Sequence, residues 1–561
     1  MSYVVVGAAF LLMILLLIRG IYDEIAGKKK LKEKLKSSFG KKSERTLSPE
    51  EFECLTHFHK NHLNERGEGQ VIDDITWNDL DMNEVFLSMD NTLSQTGEEV
   101  LYDMLRRPVR DISKIEERNR IISWFSENEE ERLSYQLLFA KMGRLGKVSV
   151  SDYLKDLDGV SGDNNFRHIF CIILAILALC AVLIRPAIGF PVFFIVLIYN
   201  IATYFRRKGD IEPYIVSFAY ITRVIRSSRE LVRIKCDATS EYTQRISRLI
   251  NGLRGLNINT FILFSGRGMT GGMFGMVLDY LRIFFHLDLI KFNVMLAIVR
   301  DKYDDIRELF ELTGFLDASV SVASYRKSID HFCVPEHCDE IKVDVKRLIH
   351  PLLQEPVPSD VQTKKGIIVT GSNASGKSTF LKAMALASLM SQTIATVAAD
   401  RYAAPVFDIY SSMSIRDNIM TGESYYMVEI KALKRILDRA ENTKRPMICF
   451  IDEVLRGTNT IERIAASSQI LKSLSRDNVL LFAATHDYEL TYMLEDYFEN
   501  YHFSEEVKEN DIDFSYVLTE GRAQSKNAIL LLKLLGYDEG ITDAARDAAR
   551  IFQEENKWEK L

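Results

Sequence analysis

Residues 371–379, Gly371-Ser372-Asn373-Ala374-Ser375-Gly376-Lys377-Ser378-Thr379, constrain this 561-residue chain more than any other stretch. They fit the phosphate-binding loop G-x-x-x-x-G-K-[ST] without departure. Just before them, Gly366–Thr370 (GIIVT) is a β-branched run suited to a buried strand. Just after them, Phe380–Met390 (FLKAMALASLM) has helical character. A strand, a glycine loop and a helix N-terminus in that order turn backbone N–H groups and the positive helix end onto phosphate oxygens. The whole loop is the expected nucleotide cradle. Lys377 is expected to reach the β- and γ-phosphates of ATP and the Ser378 hydroxyl to ligate Mg²⁺.

Two further motifs follow in an order that suits a P-loop ATPase. Met447–Ile451 (MICFI) reads as an apolar strand ending in Asp452-Glu453. Asp452 is placed to hold Mg²⁺, directly or through water, and Glu453 to orient or deprotonate the attacking water. A plain strand followed by an acidic turn explains the spacing after Lys377 less well. Asn478–Ala484 (NVLLFAA) is another buried-strand run, followed by Thr485-His486. A histidine at that strand end can hydrogen-bond the γ-phosphate or the attacking water; in isolation it would read as structural. Glu453, His486 and Lys377 are thus the catalytic candidates, and Ser378 and Asp452 the metal ligands.

In sequence, TGSNASGKST, GESYYMVEI (Gly422–Ile430), FIDEVLRGTNT (Phe450–Thr460) and ATHDYEL (Ala484–Leu490) closely resemble the ATPase domain of the MutS family. Ser525-Lys526-Asn527-Ala528 and Gly536–Ala545 are similar to that family's closing helices. Upstream, Asn91–Gly97 (NTLSQTG) with Leu101, Leu105 and Pro108 is similar to the start of its helical core. His350-Pro351 and Pro358-Ser359-Asp360 resemble the lead-in to the ATPase. The resemblance implies a homodimer with composite ATP sites. In it, Ser424 reaches the γ-phosphate of the partner's nucleotide and Asn373 helps to sense the phosphates. Hydrolysis would cycle two helical levers between open and closed, with DNA as the family-based ligand. Pro356 departs from the pattern, standing near where the family often has an aromatic that stacks on adenine. The mismatch-recognition, connector, clamp and nuclease domains are not expected in this chain, so DNA binding is expected to ignore mismatches.

The N-terminal end has a different character. Tyr3–Ile18 is almost unbroken in its apolarity and is followed by Arg19 and then by Lys28, Lys29, Lys30, Lys32, Lys34 and Lys36. Positive charge after the apolar run suits an anchor better than a cleaved signal peptide, which carries it first. Ile169–Ile184 and Ile188–Phe205, separated by Arg185-Pro186-Ala187 and followed by Arg206-Arg207-Lys208, read as a transmembrane hairpin; a buried pair in a soluble core is the alternative. The positive-inside rule then places the lysines and the ATPase in the cytoplasm of a multi-pass protein in the cell membrane. The expected fold is multidomain: transmembrane helices, an all-α lever core and an α/β P-loop NTPase domain of the MutS/ABC-ATPase type. Its parts are an anchor (1–21), a basic linker (22–45), helical core (46–165), the hairpin (166–208), helical core again (209–330), and the ATPase domain with its closing helices (331–561).

Other features are less directive. A net charge of −7 offers no global attraction to nucleic acid. Seven cysteines in this length imply no disulfide framework. His331, Cys333, His337 and Cys338 cluster, but with no common zinc spacing. Arg223, Arg226, Arg229 and Arg233 share a helix face that suits DNA phosphates, anionic lipid or simply solvent. Met269–Val299, interrupted by charges, reads as buried core helices rather than a further span. A transport ATPase would carry Leu-Ser-Gly-Gly-Gln where this chain has GESYYMVEI. A nucleotide-gated scaffold without turnover is opposed by the retained Glu453.

Overall fold

The apolar runs that flank the motifs form strands buried on both faces, as expected of parallel strands covered on each side. The computed structural model describes residues 19, 22–23, 25–63, 70–159, 165–257, 281, 283–372, 375–413, 425–456, 459–508, 511–523, 529, 532, 536–555, 558 and 560. The run Tyr3–Ile18, Asn373, Ala374, Ser424, Ser525-Lys526-Asn527-Ala528 and the first part of Met269–Val299 lie outside the described residues. Two units result: Met1–Gly67 with Met89–Asp103 and Arg120–Ser328, and Glu68–Ser88 with Met104–Asn119 and Ile329–Leu561.

Among the described residues the second unit holds ten strands: β1 (Glu336–His337), β2 (Val343–Leu348), β3 (Ser359–Thr363), β4 (Gly366–Thr370), β5 (Arg401–Ala404), β6 (Asp408–Ser412), β7 (Met447–Asp452), β8 (Val479–Ala484), β9 (Phe498–Lys508) and β10 (Asp511–Glu520). Six form a sheet in the order β10-β9-β4-β8-β7-β6, parallel except for β10. Four form a smaller sheet, β1-β5-β2-β3. The helix Lys377–Thr393 packs on β6, β7 and β8 and also on β2. Every residue from Ala383 to Thr393 is therefore buried, as a helix covered on all sides requires. Register sets Val369, Ala484 and Asp452 side by side. The loops that leave β4, β7 and β8 thus start from one sheet edge, where open α/β sheets bind ligands.

Segments 68–88 and 104–119, read from sequence as part of a continuous helical core over 46–165, group with this sheet instead. The physical reason is the exposed edge of β6. The Gln70 amide replaces a neighbouring strand: its Nε2 donates to Ile409 O at 2.7 Å and its Oε1 accepts from Ile409 N at 2.9 Å. Met413 N donates to Asp79 Oδ2 at 2.9 Å, and Arg110 pairs with Asp408 at 2.8 Å. An edge capped by side chains cannot recruit a foreign strand.

The first unit is helical. Its helix Pro49–His62 starts at a capping box made by Ser48 and Glu51. The helix Tyr303–Ser328 is largely buried and crosses the helix Gln95–Arg106 at two glycines. A Cβ on Gly314 would lie 2.4 Å from Thr96 O, and one on Gly97 would lie 2.2 Å from Asp317 Oδ2. Asp317 accepts from Ser94 N at 2.8 Å and Ser94 Oγ at 2.6 Å. The NTLSQTG stretch is thus a helix start seated on a buried carboxyl, whose pKa burial pushes up to about 7.

Among the described residues, two helices of this unit are long and apolar enough to cross a membrane. They are Asn165–Ile184 and the first part of Pro186–Leu231, joined at Arg185. Gly189 lets them approach closely, since a Cβ there would lie 2.4 Å from the Ala181 carbonyl. Only 22% and 17% of their apolar windows are buried, and Phe170, Leu177, Leu183, Phe194 and Ile195 are exposed. The second helix does not stop at 208. It continues unbroken to Leu231, so hairpin and helical core share one 46-residue helix.

Candidate nucleotide site

The loop after β4 has the backbone that a phosphate cradle needs. Gly371 (φ +150°) leaves no room for a Cβ, which would stand 2.7 Å from Ser375 Oγ. Gly376 (φ +109°) ends the loop at the helix N-terminus, where a Cβ would stand 3.3 Å from the Tyr516 ring. Both positions favour glycine on conformation and on space. Lys377 opens the helix, and its Nζ donates back to Gly371 O at 2.8 Å and Ser372 O at 2.7 Å. Ser378 Oγ donates to Asp452 Oδ2 at 2.5 Å. A hydroxyl and a carboxylate in contact are the hard oxygen donors that Mg²⁺ takes, so the residues present fit that ion. A cavity of about 760 Å³ opens over the loop, with Lys377 on one wall, Asp452 and Glu453 on another, and Pro356, Phe503 and Tyr516 around the rest. That volume suits a nucleotide.

Opposite the loop, the turn after β7 is unusual. Glu453 and Leu455 both take positive φ, +60° each, a conformation that costs an L-residue energy and that surrounding structure must enforce. Glu453 N remains bonded to Ala484 O at 2.9 Å, extending the β7–β8 ladder by one residue. Its carboxylate meets His486 Nε2 at 2.7 Å and Arg456 Nε at 2.8 Å. Burial pushes the Glu453 carboxyl up, but the His486 hydrogen bond, with Arg456 and Lys377 nearby, outweighs it and holds the group below the usual carboxylate range. His486 Nε2 also lies 3.5 Å from Lys377 Nζ. Arg463 holds Asp487 with two contacts, at 3.0 and 2.5 Å, fixing the strand end that carries His486.

Lys377, Ser378, Asp452 and Glu453, expected from sequence, thus line one cavity, and His486 joins them through the Glu453 carboxylate. Gly371, Ser372, Ser375, Gly376 and Thr379 surround them. Asn373, Ala374 and Ser424 lie outside the described residues. Sequence reasoning passed over Arg456, Glu429, Phe503 and Tyr516. Arg456 had a signal, three residues beyond Glu453. Tyr516 and Phe503 had none, because they reach the loop from β10 and β9. They line the same cavity as Pro356. Around the His331–Cys338 cluster, His331 pairs with Asp400 at 3.3 Å, and the Cys333 backbone bridges to Val397.

The family described as MutS domain V matches residues 367–553. The chain is similar to the DNA mismatch repair protein MutS of Lactobacillus helveticus, 31% identical over 238 residues, 40% of this chain and 27% of that protein. It is 32% identical over 271 residues to the DNA mismatch repair protein MutS of Fervidobacterium nodosum, 46% of this chain and 32% of that one. With the DNA mismatch repair protein MSH3 of Coccidioides immitis it shares 28% identity over 285 residues, 48% of this chain and 25% of the relative. The chain therefore spans at most 32% of the length of these relatives. For the part of the chain that carries the cavity, the comparisons support the MutS family and, at the level of that family, ATPase activity.

Proposed function

We propose that this protein is a membrane-tethered, MutS-like ATPase that couples ATP binding and hydrolysis to rearrangement of its helical unit within a dimer, with DNA as its ligand. The observation that carries the ATPase reading is the Ser378–Asp452 contact at 2.5 Å, in a cavity that Lys377 and Glu453 also line, with His486 bonded to the Glu453 carboxylate. Lys377 would exchange its two carbonyl partners for the β- and γ-phosphates. Ser378 and Asp452 would hold Mg²⁺, which neutralises charge building on the transferred phosphoryl group. Glu453, ionised at neutral pH, accepts the proton of the attacking water. His486 orients that carboxylate and lies beside the lysine. The Tyr516 and Phe503 rings offer the base an apolar wall. In a dimer, Ser424 would complete the partner's site.

The membrane reading is supported by the hairpin. Apolar surface on that scale is seldom left to water in a soluble protein, and the exposure counts against a buried core pair. The DNA reading is supported by the relatives' names and by a cavity of about 510 Å³ lined by Arg229, Arg233 and Arg254 with no carboxylate among the described residues of its wall. Arg229 stands up to about 36 Å of helix rise beyond Phe205, where the apolar run ends. That distance favours a soluble polyanion over a lipid headgroup.

The test is fluorescence anisotropy of labelled duplex, mismatched and branched DNA with the full chain in detergent. Affinity should fall steeply with salt, show no mismatch preference, and change when Mg·ATP is added. Replacing Arg229, Arg233 and Arg254 with Ala should flatten the salt dependence, and Lys377→Ala should abolish only the nucleotide effect. A mismatch preference above about tenfold, or no binding to any DNA, would contradict the reading.

A further inference from the structure

The turn that presents Glu453 is held in a costly conformation, and one buried side chain outside the cavity holds it. Leu455 has φ +60° although it is neither glycine nor asparagine. Its N–H faces away from solvent, since the residue is 4% exposed. The partner of that N–H is Glu429 Oε1, at 2.5 Å, and the same oxygen receives Arg456 N at 3.4 Å. Glu429 stands on the helix Tyr425–Asn442 and is itself only 2% exposed. Its Oε2 finds no hydrogen-bond partner among the described residues. Burying a carboxylate with one oxygen unpaired is costly. What it accomplishes here is to satisfy two consecutive N–H groups that no strand or helix supplies with acceptors.

The remaining contacts of the turn tie it to the carboxylate proposed as the base. Ser467 Oγ donates to Val454 O at 3.3 Å, and Arg456 Nη2 to Asp452 O at 3.2 Å. The Arg456 side chain, whose backbone Glu429 anchors, holds Glu453 Oε2 at 2.8 Å. A change at residue 429 therefore reaches Glu453 by two routes, the left-handed backbone and the Arg456 side chain.

We propose, resting on the ATPase reading above, that Glu429 is the positioning residue for Glu453: it fixes the left-handed turn at Leu455 and thereby aims the base without touching nucleotide. Since it sits on the helix that follows Gly422-Glu423-Ser424, the same bond carries any displacement of that helix to the base. Sites proposed to answer to a partner's nucleotide would then act on hydrolysis rather than on nucleotide affinity.

The test compares Glu429→Ala, Glu429→Gln, Leu455→Gly and the double variant Glu429→Ala/Leu455→Gly in the full-length protein, with Glu453→Gln as control. Each is assayed for steady-state phosphate release and for Mg·ATP-analogue binding. Glu429→Ala should lower kcat about ten- to a hundredfold, because the left-handed turn is released. KM and analogue affinity should stay within about threefold, since phosphate contacts are untouched. Glu429→Gln, which keeps an acceptor oxygen, should lose clearly less. Glycine takes the positive φ at no steric cost but removes a buried leucine, so Leu455→Gly is the reference for the double variant: adding Glu429→Ala to it should lower kcat by less than about threefold, far below the loss in the wild-type background. If Glu429→Ala does not fold, these two decide: like turnover in Leu455→Gly and the double variant supports the proposal, and a further loss of about ten- to a hundredfold overturns it. Wild-type kcat in Glu429→Ala, or an equal loss from Glu429→Ala in both backgrounds, would also overturn it. Equal turnover in wild type and Glu453→Gln would sink the ATPase reading itself. A dead Glu453→Gln beside an unaffected Glu429→Ala would sink this inference alone.

Discussion

Glu453 depends on its neighbours for its charge. Burial alone would favour the protonated form; His486 and Arg456 reverse that. A depressed folded-state pKa means that the carboxylate persists as pH falls from neutral to below the ordinary carboxylate value. The stability it contributes is present above that value and is lost as pH falls through the lowered one. His486→Ala should therefore do more than slow hydrolysis. It should move the acid limb of kcat to higher pH, because burial then acts with less opposition. A kcat profile from about pH 4.5 to 8 checks this, and an acid limb at the same pH in both proteins would contradict the assignment. Residues of this kind were legible in the sequence because local geometry fixes them: a strand end, a glycine loop, a helix start. Arg456 and Glu429 act through a turn whose conformation no motif announces. Tyr516 reaches the loop from a hairpin whose β9 pairs with β4, distant in sequence.

At the scale of elements, the apolar runs within the described residues gave strands and helices, and the ends of the long helix were not marked in the sequence. Ile188–Phe205 reads as a segment that ends at the basic cluster Arg206-Arg207-Lys208. Nothing in that cluster breaks a helix, however, and the chain continues helical to Leu231. Segments 68–88 and 104–119 were misread for a different reason. What binds them to the sheet is single side chains, Gln70, Asp79 and Arg110, on the edge of β6, which leave no periodicity. The helix crossing at Gly97 and Gly314 was likewise hidden, although NTLSQTG was visible. Gly314→Ala should destabilise the helical unit by about 1–3 kcal/mol, because the added carbon meets the backbone oxygen of Thr96 rather than a movable side chain. Thermal unfolding of the full chain, with Gly252→Ala as a control where the nearest atom is a side-chain oxygen at 3.5 Å, checks this. Equal melting of the two variants would show that the crossing tolerates separation.

For the whole molecule, the account joins a nucleotide site to a tether, and the two can fail separately. Should the hairpin be embedded, the full-length protein will fractionate with membranes and resist extraction by salt and by carbonate. Removing residues 1–21 will not release it, because the pair Asn165–Ile184 and Pro186–Leu231 remains. Recovery of the full chain in the soluble fraction would contradict the tether and leave the ATPase untouched. The central claim is that Glu453 activates water beside a Mg²⁺ held by Ser378 and Asp452. Its most direct test is steady-state phosphate release by the detergent-solubilised full chain, wild type against Glu453→Gln. The variant should lose about 10²–10⁴ in rate while still binding Mg·ATP, since Lys377, Ser378 and Asp452 are unchanged. Equal turnover in the two proteins would contradict the account.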